Sequence, residues 1–202
     1  MKLILASASP RRAEILRNAG IQFEISSSGV DESPLGNELP GDYVRRLALA
    51  KALSAAEANR GRAGEILVLG ADTIVAIRGE ILGKPTSPDD ARRMLRRLSG
   101  NIHEVHTGLA LLQNSGSKQY VVEEITQVHF ATLTDREIEE YIATGEPFDK
   151  AGAYAIQGVG GRYVTRIEGC YFNVMGLPLA RLYSLLREFG REDYLATKDA
   201  PK

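Results

Sequence analysis

The stretch Ile66-Leu67-Val68-Leu69-Gly70-Ala71-Asp72-Thr73-Ile74-Val75-Ala76-Ile77 is a nearly continuous run of apolar, strand-favouring residues, broken only by Gly70-Ala71-Asp72-Thr73. A run of this composition reads as a core strand. The polar break therefore sits in the middle of the core. Arg78-Gly79-Glu80 reads as a turn leading into Ile81-Leu82-Gly83-Lys84-Pro85. A carboxylate inside a core strand loses its hydration, so Asp72 requires a metal, a cation or several hydrogen-bond donors around it. An ion pair with Lys51 or Lys84 would account for all three placements without any chemistry.

Upstream, a helix is expected from about Asp42 to Asn59, because Val44, Leu47, Ala48, Lys51, Ala52 and Ala55 fall on one stripe at helical spacing. Lys51 interrupts that stripe, although a lysine can also snorkel from a helix edge. Before it, Lys2 to Ala6 reads as a short buried strand. A turn follows, then a helix carrying Ile15, Leu16 and Ala19 and stopped by Gly20. A second strand spans Phe23 to Ser26, and the Ser-, Gly- and Pro-rich loop Ser27 to Gly41 holds Asp31 and Glu32.

Downstream, Ser87 is an N-cap with Pro88 as first helical residue, and the stripe of that helix is Ala91, Met94, Leu95 and Leu98, ending at Gly100. Two strands are expected, Val105 to Leu112 and Tyr120 to Leu133, joined by a hairpin loop Gln113 to Ser117. Thr134-x-x-Glu137 is a capping box. After Gly145-Glu146-Pro147 the chain reads as irregular and glycine-rich through Gly176. A last amphipathic helix, Leu177 to Phe189, buries Leu182, Leu185, Leu186 and Phe189. No internal repeat is found. The pattern predicts one α/β domain over residues 1–190 and a frayed tail over 191–202.

The 202 residues are 44% hydrophobic and 25% charged, enough to bury a substantial core. A net charge of −1 provides no global field for nucleic acid or an anionic membrane, so any anion site has to be local. The lone Cys170 makes no internal disulfide, which fits a reducing, cytoplasmic setting. Arg11 and Arg12 cut the N-terminal apolar stretch too short for a signal peptide, and no transmembrane run is present.

Several familiar signatures fail. Gly158-Val159-Gly160 would need its third glycine at Tyr163 and lacks the strand-helix setting of a dinucleotide site. Gly79 to Lys84 has its glycines one residue too close for a P-loop, and Pro85 stands where a hydroxyl residue should be. His103, His106 and His129 are too few and too scattered for zinc, with His103 and His106 on opposite faces of one strand. Cys170 has no evident His and acid beside it, which favours a structural thiol.

Ser7, Ser9, Arg11 and Arg12 lie between a strand and a helix N-terminus, where free amides, hydroxyls and guanidinium forks suit phosphate oxygens. The bland reading is a capped helix start, with Ser9 as N-cap, Pro10 as first helical residue and two solvated arginines. Glu32 and Asp72 together suit Mg²⁺ or Mn²⁺, which prefer hard oxygens and keep waters beside substrate phosphates, although Glu32 is equally readable as a solvated loop acid. Two acids faced by several cations form a minimal kit for hydrolysing a phosphoanhydride.

In order along the chain, Leu5-Ala6-Ser7-Ala8-Ser9-Pro10-Arg11-Arg12, Val30-Asp31-Glu32, Leu69 to Val75, Leu82-Gly83-Lys84-Pro85, Gly145 to Tyr154, Ile156-Gln157-Gly158 and Asn173 to Pro178 resemble the Maf family of nucleoside triphosphate pyrophosphatases. The resemblance implies a mixed, elongated β-sheet with flanking helices and two lobes around a central cleft, akin to inosine triphosphate pyrophosphatases. It also implies a homodimer, a divalent cation cofactor and hydrolysis between the α- and β-phosphates. By the same resemblance Asp72 is the proton acceptor and, with Glu32, a metal ligand. Ser7, Ser9, Arg11, Lys51, Lys84, Asp149 and Lys150 would line the phosphate site. Arg12, Thr73 and Gln157 are similar to the branch acting on dTTP and UTP. A uracil or thymine edge offers acceptor, donor, acceptor; Gln157 can donate and accept opposite it, with Arg12 or Thr73 adding a donor. Two rival readings are a pyrophosphatase for non-canonical purine triphosphates and a nucleotide-sensing regulator of cell division.

Overall fold

A computed structural model describes residues 2–27, 29–114 and 118–191. The expected residues 115–117 of the hairpin loop and the tail from 192 lie outside the described residues. The chain forms a seven-stranded mixed sheet with helices on both faces. Its first half runs β1 (Lys2–Ala6), α1 (Pro10–Asn18), β2 (Glu24–Ile25), α2 (Pro40–Ala58), β3 (Ile66–Ile77) and β4 (Glu80–Leu82). There follow α3 (Pro88–Leu98), β5 (Ile102–Gln113), β6 (Gln119–Phe130), α4 (Asp135–Ala143), β7 (Val164–Glu168), α5 (Tyr171–Val174) and α6 (Leu179–Glu188). Strand order is β2-β1-β3-β5-β6-β7, with β4 also on β3. The pairs β1–β2 and β1–β3 are parallel and the rest antiparallel.

The core strand is unbroken through Asp72 and Thr73. Its even residues Val68, Ile74 and Ala76 pack under α2, and its odd residues meet the opposite layer. On one edge β3 pairs with β5 along nearly its whole length. On the other edge β1 stops at Ala6, opposite Gly70, and β4 begins at Glu80, opposite Ile77, and ends at Leu82, opposite Val75. The sheet therefore has a notch beside residues 71–74. The tight Arg78-Gly79 turn that folds β4 back has positive φ at both positions (52° and 79°), as a two-residue hairpin loop requires. One apolar layer, with Leu5, Leu16, Leu67 and Leu186, lies on one side of the notch, and a second, with Val75, Leu95, Phe130 and Tyr154, lies on the other.

Local chemistry at the starts of α3 and α4 agrees with expectation. Ser87 Oγ accepts from the Asp90 amide at 3.1 Å, and Thr134 and Glu137 form the reciprocal capping box. The differences have identifiable reasons. α2 starts at Pro40, two residues early, with proline in its first turn. β2 shrinks to two residues at the sheet edge. β6 ends at Phe130 because Ala131 turns away to bond Gly100 and Tyr163. The stretch expected to be irregular contains β7, half-exposed and bulged against β6 at His129/Phe130, and the single turn α5. α6 begins two residues later than expected, after Pro178. Among the described residues no helix is long and apolar enough to cross a membrane.

His103, which packs edge-on against Phe130 and Tyr154, holds the Tyr154 hydroxyl at 2.7 Å through Nε2; its Nδ1 has no partner among the described residues. Burial, reinforced by the charge of His129, pushes this imidazole down to about 4. The unfolded chain binds the proton near its ordinary 6.5 and the folded protein only near 4, so stability falls as pH drops across that interval, by about 3 kcal/mol at its lower end. His103→Gln keeps a partner for Tyr154 and is expected to flatten this acid limb. Urea unfolding between pH 7 and 4 measures it, and equal slopes in both proteins would remove His103 as the source.

Candidate active site

β3 delivers Asp72 and Thr73 to the notch on opposite faces of the sheet, as successive strand residues must be. Asp72 points under α2 and is 7% exposed. There Lys51 Nζ, on the buried stripe of α2, donates to Asp72 Oδ1 at 2.6 Å. The same ammonium meets Glu32 Oε1 at 2.6 Å, so the loop acid and the strand acid converge on one cation. Of the two partners considered for Asp72, Lys51 takes the contact, and Lys84 lines the same cavity without bonding the carboxylate. Partial burial works to raise the Glu32 carboxyl. The hydrogen bond and charge of Lys51, with Lys84 and Arg12 behind them, outweigh it and hold the group below the usual range. Tyr43 fixes this loop by donating to the Glu32 carbonyl at 2.7 Å; burial, then the Asp72 and Glu32 charges, push its phenol up to about 12, so it stays a donor.

On the other face Thr73 meets Arg12. The buried guanidinium donates through Nε to Gly176 O at 2.7 Å, through Nη1 to Ser7 Oγ at 3.0 Å and through Nη2 to Thr73 Oγ1 at 2.9 Å. Burial pushes its pKa down, Asp72 and Glu32 oppose that, and Arg11 reinforces it. The two arginines of the loop thus differ: Arg12 is built into the wall, whereas Arg11 is partly exposed and reaches Asp149 at 3.5 Å. Ser9 precedes α1 but its hydroxyl caps nothing. Ser9 is the N-cap residue with Pro10 first in the helix, as expected, but its amide donates to Ser7 Oγ at 3.2 Å and its hydroxyl makes no hydrogen bond among the described residues.

The far wall is the segment from Gly145 to Gly158. Gly152 N–H donates to Gly83 O at 3.0 Å, tying the Lys84 turn to the segment that carries Asp149 and Lys150, themselves an ion pair. Glu146, given no role in the sequence reading, accepts from Tyr141 Oη (2.8 Å), Gly160 N and Val159 N (both 2.9 Å). That carboxylate occupies the amides of the Gly158-Val159-Gly160 turn and orders the loop bearing Gln157. Its only sequence signal was its place beside Pro147 in a motif.

Together these walls enclose a cavity of about 830 Å³. All twelve residues expected at the site line it: Ser7, Ser9, Arg11, Arg12, Glu32, Lys51, Asp72, Thr73, Lys84, Asp149, Lys150 and Gln157. The volume suits a nucleotide-sized ligand. One side presents two acids around an ammonium, and the rim presents Arg11, Lys84 and Lys150, an arrangement suited to a polyphosphate and a reacting water. His106 lies elsewhere, between Glu123 (2.6 Å) and Glu104 (3.1 Å), and no group of three or more metal-ligating side chains is found among the described residues.

Comparison with known proteins finds similar chains along nearly the full length. The chain is 53% identical over 189 residues to the dTTP/UTP pyrophosphatase of Geobacter sp. (strain M21), covering 93% of this chain and 95% of that one. It is 50% identical over 189 residues to the dTTP/UTP pyrophosphatase of Hahella chejuensis, covering 94% and 92%. Among solved structures, the Staphylococcus aureus Ham1 protein aligns with 94% of this chain and 100% of its own at 13% identity, with a TM-score of 0.48. A family profile described as "Maf-like protein" matches residues 2–189, and with relatives at this level of identity along nearly the full length, the chain belongs to the Maf family.

Proposed function

We propose that this protein hydrolyses dTTP and UTP to the monophosphate and pyrophosphate. The observation that carries the reading is the buried Asp72 carboxylate, braced by Lys51 and facing a cavity rimmed by Arg11, Lys84 and Lys150. The names of the relatives supply the substrate class.

In this reading Lys51 holds one oxygen of Asp72, and the other oxygen accepts the proton of a water directed at the α-phosphorus. The new P–O bond forms as the bond to the α,β-bridging oxygen breaks, and pyrophosphate carries away that electron pair. Arg11, Lys84 and Lys150 balance the charge on the phosphate oxygens, an effect that grows as the ligand displaces water from the cleft. Thr73, Arg12 and Gln157 face the base. Glu32 and Asp72 fit a divalent cation, because two hard carboxylates already share one positive charge, and Mg²⁺ or Mn²⁺ needs only one or two carboxylates when waters and phosphates complete the shell. Such an ion would supply Lewis acidity and charge neutralisation at the phosphates. The reading also includes a homodimer and a cytoplasmic setting, the latter in keeping with the single free Cys170.

Assayed for pyrophosphate release with Mg²⁺ or Mn²⁺ across a panel of triphosphates, the protein is expected to prefer dTTP and UTP. Preference for inosine or xanthosine triphosphate, or binding without release, would refute the assignment. Asp72→Asn is expected to lower kcat by about a thousandfold or more with the fold and nucleotide binding retained, and near-normal turnover would remove Asp72 as base. For stability, Lys51→Met leaves a buried carboxylate unpaired and is expected to cost about 3 kcal/mol. Adding Asp72→Asn should restore most of that, as measured by urea unfolding; additive losses would mean the pair is not coupled.

A further inference from the structure

Thr73 stands opposite Thr107 in the β3–β5 register, and their hydroxyl oxygens are 2.9 Å apart. Thr107 is fully buried and does not line the cavity. Its Oγ1 lies 3.3 Å from the Asn173 carbonyl, an oxygen that also accepts from Gly176 N. We infer that Thr107 is a positioning residue that sets the hydrogen-bond polarity of Thr73, and through it the choice between uracil or thymine and cytosine. The inference deepens the proposed function and rests on it.

Each threonine hydroxyl has one proton to give and two lone pairs to receive. Arg12 Nη2 always donates, so it takes one lone pair of Thr73. Two proton arrangements then remain. In the first, Thr73 donates to Thr107 and Thr107 donates to Asn173 O. Every buried hydroxyl accepts one bond and donates one, and the three bonds polarise one another in a single direction away from Arg12. In the second, Thr107 donates back to Thr73. Buried Thr107 then accepts nothing, and the Thr73 proton is left with Gly176 O at 3.4 Å, an oxygen already held at 2.7 Å by Arg12 Nε. The first arrangement satisfies more buried polar atoms with better geometry.

The consequence reaches the cavity. With its proton committed to Thr107 and one lone pair to Arg12, Thr73 has only a lone pair left to show a ligand. Thr73 is thus an acceptor at this site, in place of the donor expected from the sequence. It complements the N3–H of uracil or thymine. Cytosine, with an unprotonated N3, would set lone pair against lone pair.

Thr107→Val keeps the shape and removes the acceptor for the Thr73 proton, which can then turn to a ligand. The preference for UTP over CTP, as the ratio of kcat/KM values, is expected to fall by about tenfold, whereas Thr107→Ser, which keeps the hydroxyl, preserves it. Affinities for UMP and CMP measured by calorimetry give the same ratio if turnover in the Val variant is too slow to follow. An unchanged ratio in Thr107→Val by both measurements, or an equal fall in Thr107→Ser, overturns the role of Thr107. If the unaltered protein releases pyrophosphate from neither UTP nor dTTP, the proposed function itself fails and the inference falls with it.

Discussion

The close approach of α2 to the sheet governs the site. A β-carbon on Gly70 would collide with the Ala48 carbonyl, and one on Gly108 would collide with the Val44 carbonyl, so the helix backbone lies directly on β3 and β5. Side chains cannot intervene between them. At that separation Lys51, one turn beyond Leu47 and Ala48, reaches the Asp72 carboxylate in the next layer while remaining in the apolar stripe. The ammonium then draws Glu32 from the loop that precedes the helix. Two glycines thus decide the geometry of three charged residues. A buried pair so held is costly to break and adds little net stability, which is the expected balance for charges kept for chemistry.

The notch is the second constraint. Because β1 pairs with the central strand only as far as Gly70 and β4 only from Val75 onward, four residues of that strand have one neighbour in place of two. A cleft here reaches both faces of a single strand, so adjacent residues line different walls of one cavity. Asp72 works with the α2 layer. Thr73 works with Arg12, Ser7 and the Gly176 turn on the opposite face.

Much of this was legible in the sequence, for reasons that can be named. Asp72 and Lys51 stood out because each violates an apolar pattern, and a violation in a core needs a partner. The Ser87 and Thr134 caps were readable because capping chemistry is local. What escaped depended on contacts between distant segments. β7 lies in a glycine-dominated window, is only half-buried and exists through pairing with β6. Ser9 is the N-cap residue that the sequence suggests, yet its hydroxyl does not cap the helix, and the turn is closed by its amide on Ser7 Oγ. Thr73 looked like a donor because the residue that takes its proton, Thr107, lies 34 positions away and never touches the cavity. Glu146 was invisible for the same reason, since its partners Val159 and Gly160 are 13 and 14 residues on.

Glu146 has one further consequence. Glycine-rich turns with inward amides are natural anion receptors, and the Gly158 turn is one, but its amides are saturated by a carboxylate from the same chain. In the proposed function a triphosphate would meet this pole already neutralised by an internal anion, while Arg11, Lys84 and Lys150, offset only in part by Asp149, would attract its phosphates. Such an arrangement would impose a head and a tail on the ligand, with the charged end sent one way and the heterocycle left to the Gln157 loop. Direction of entry would then be encoded by a site that is filled in advance.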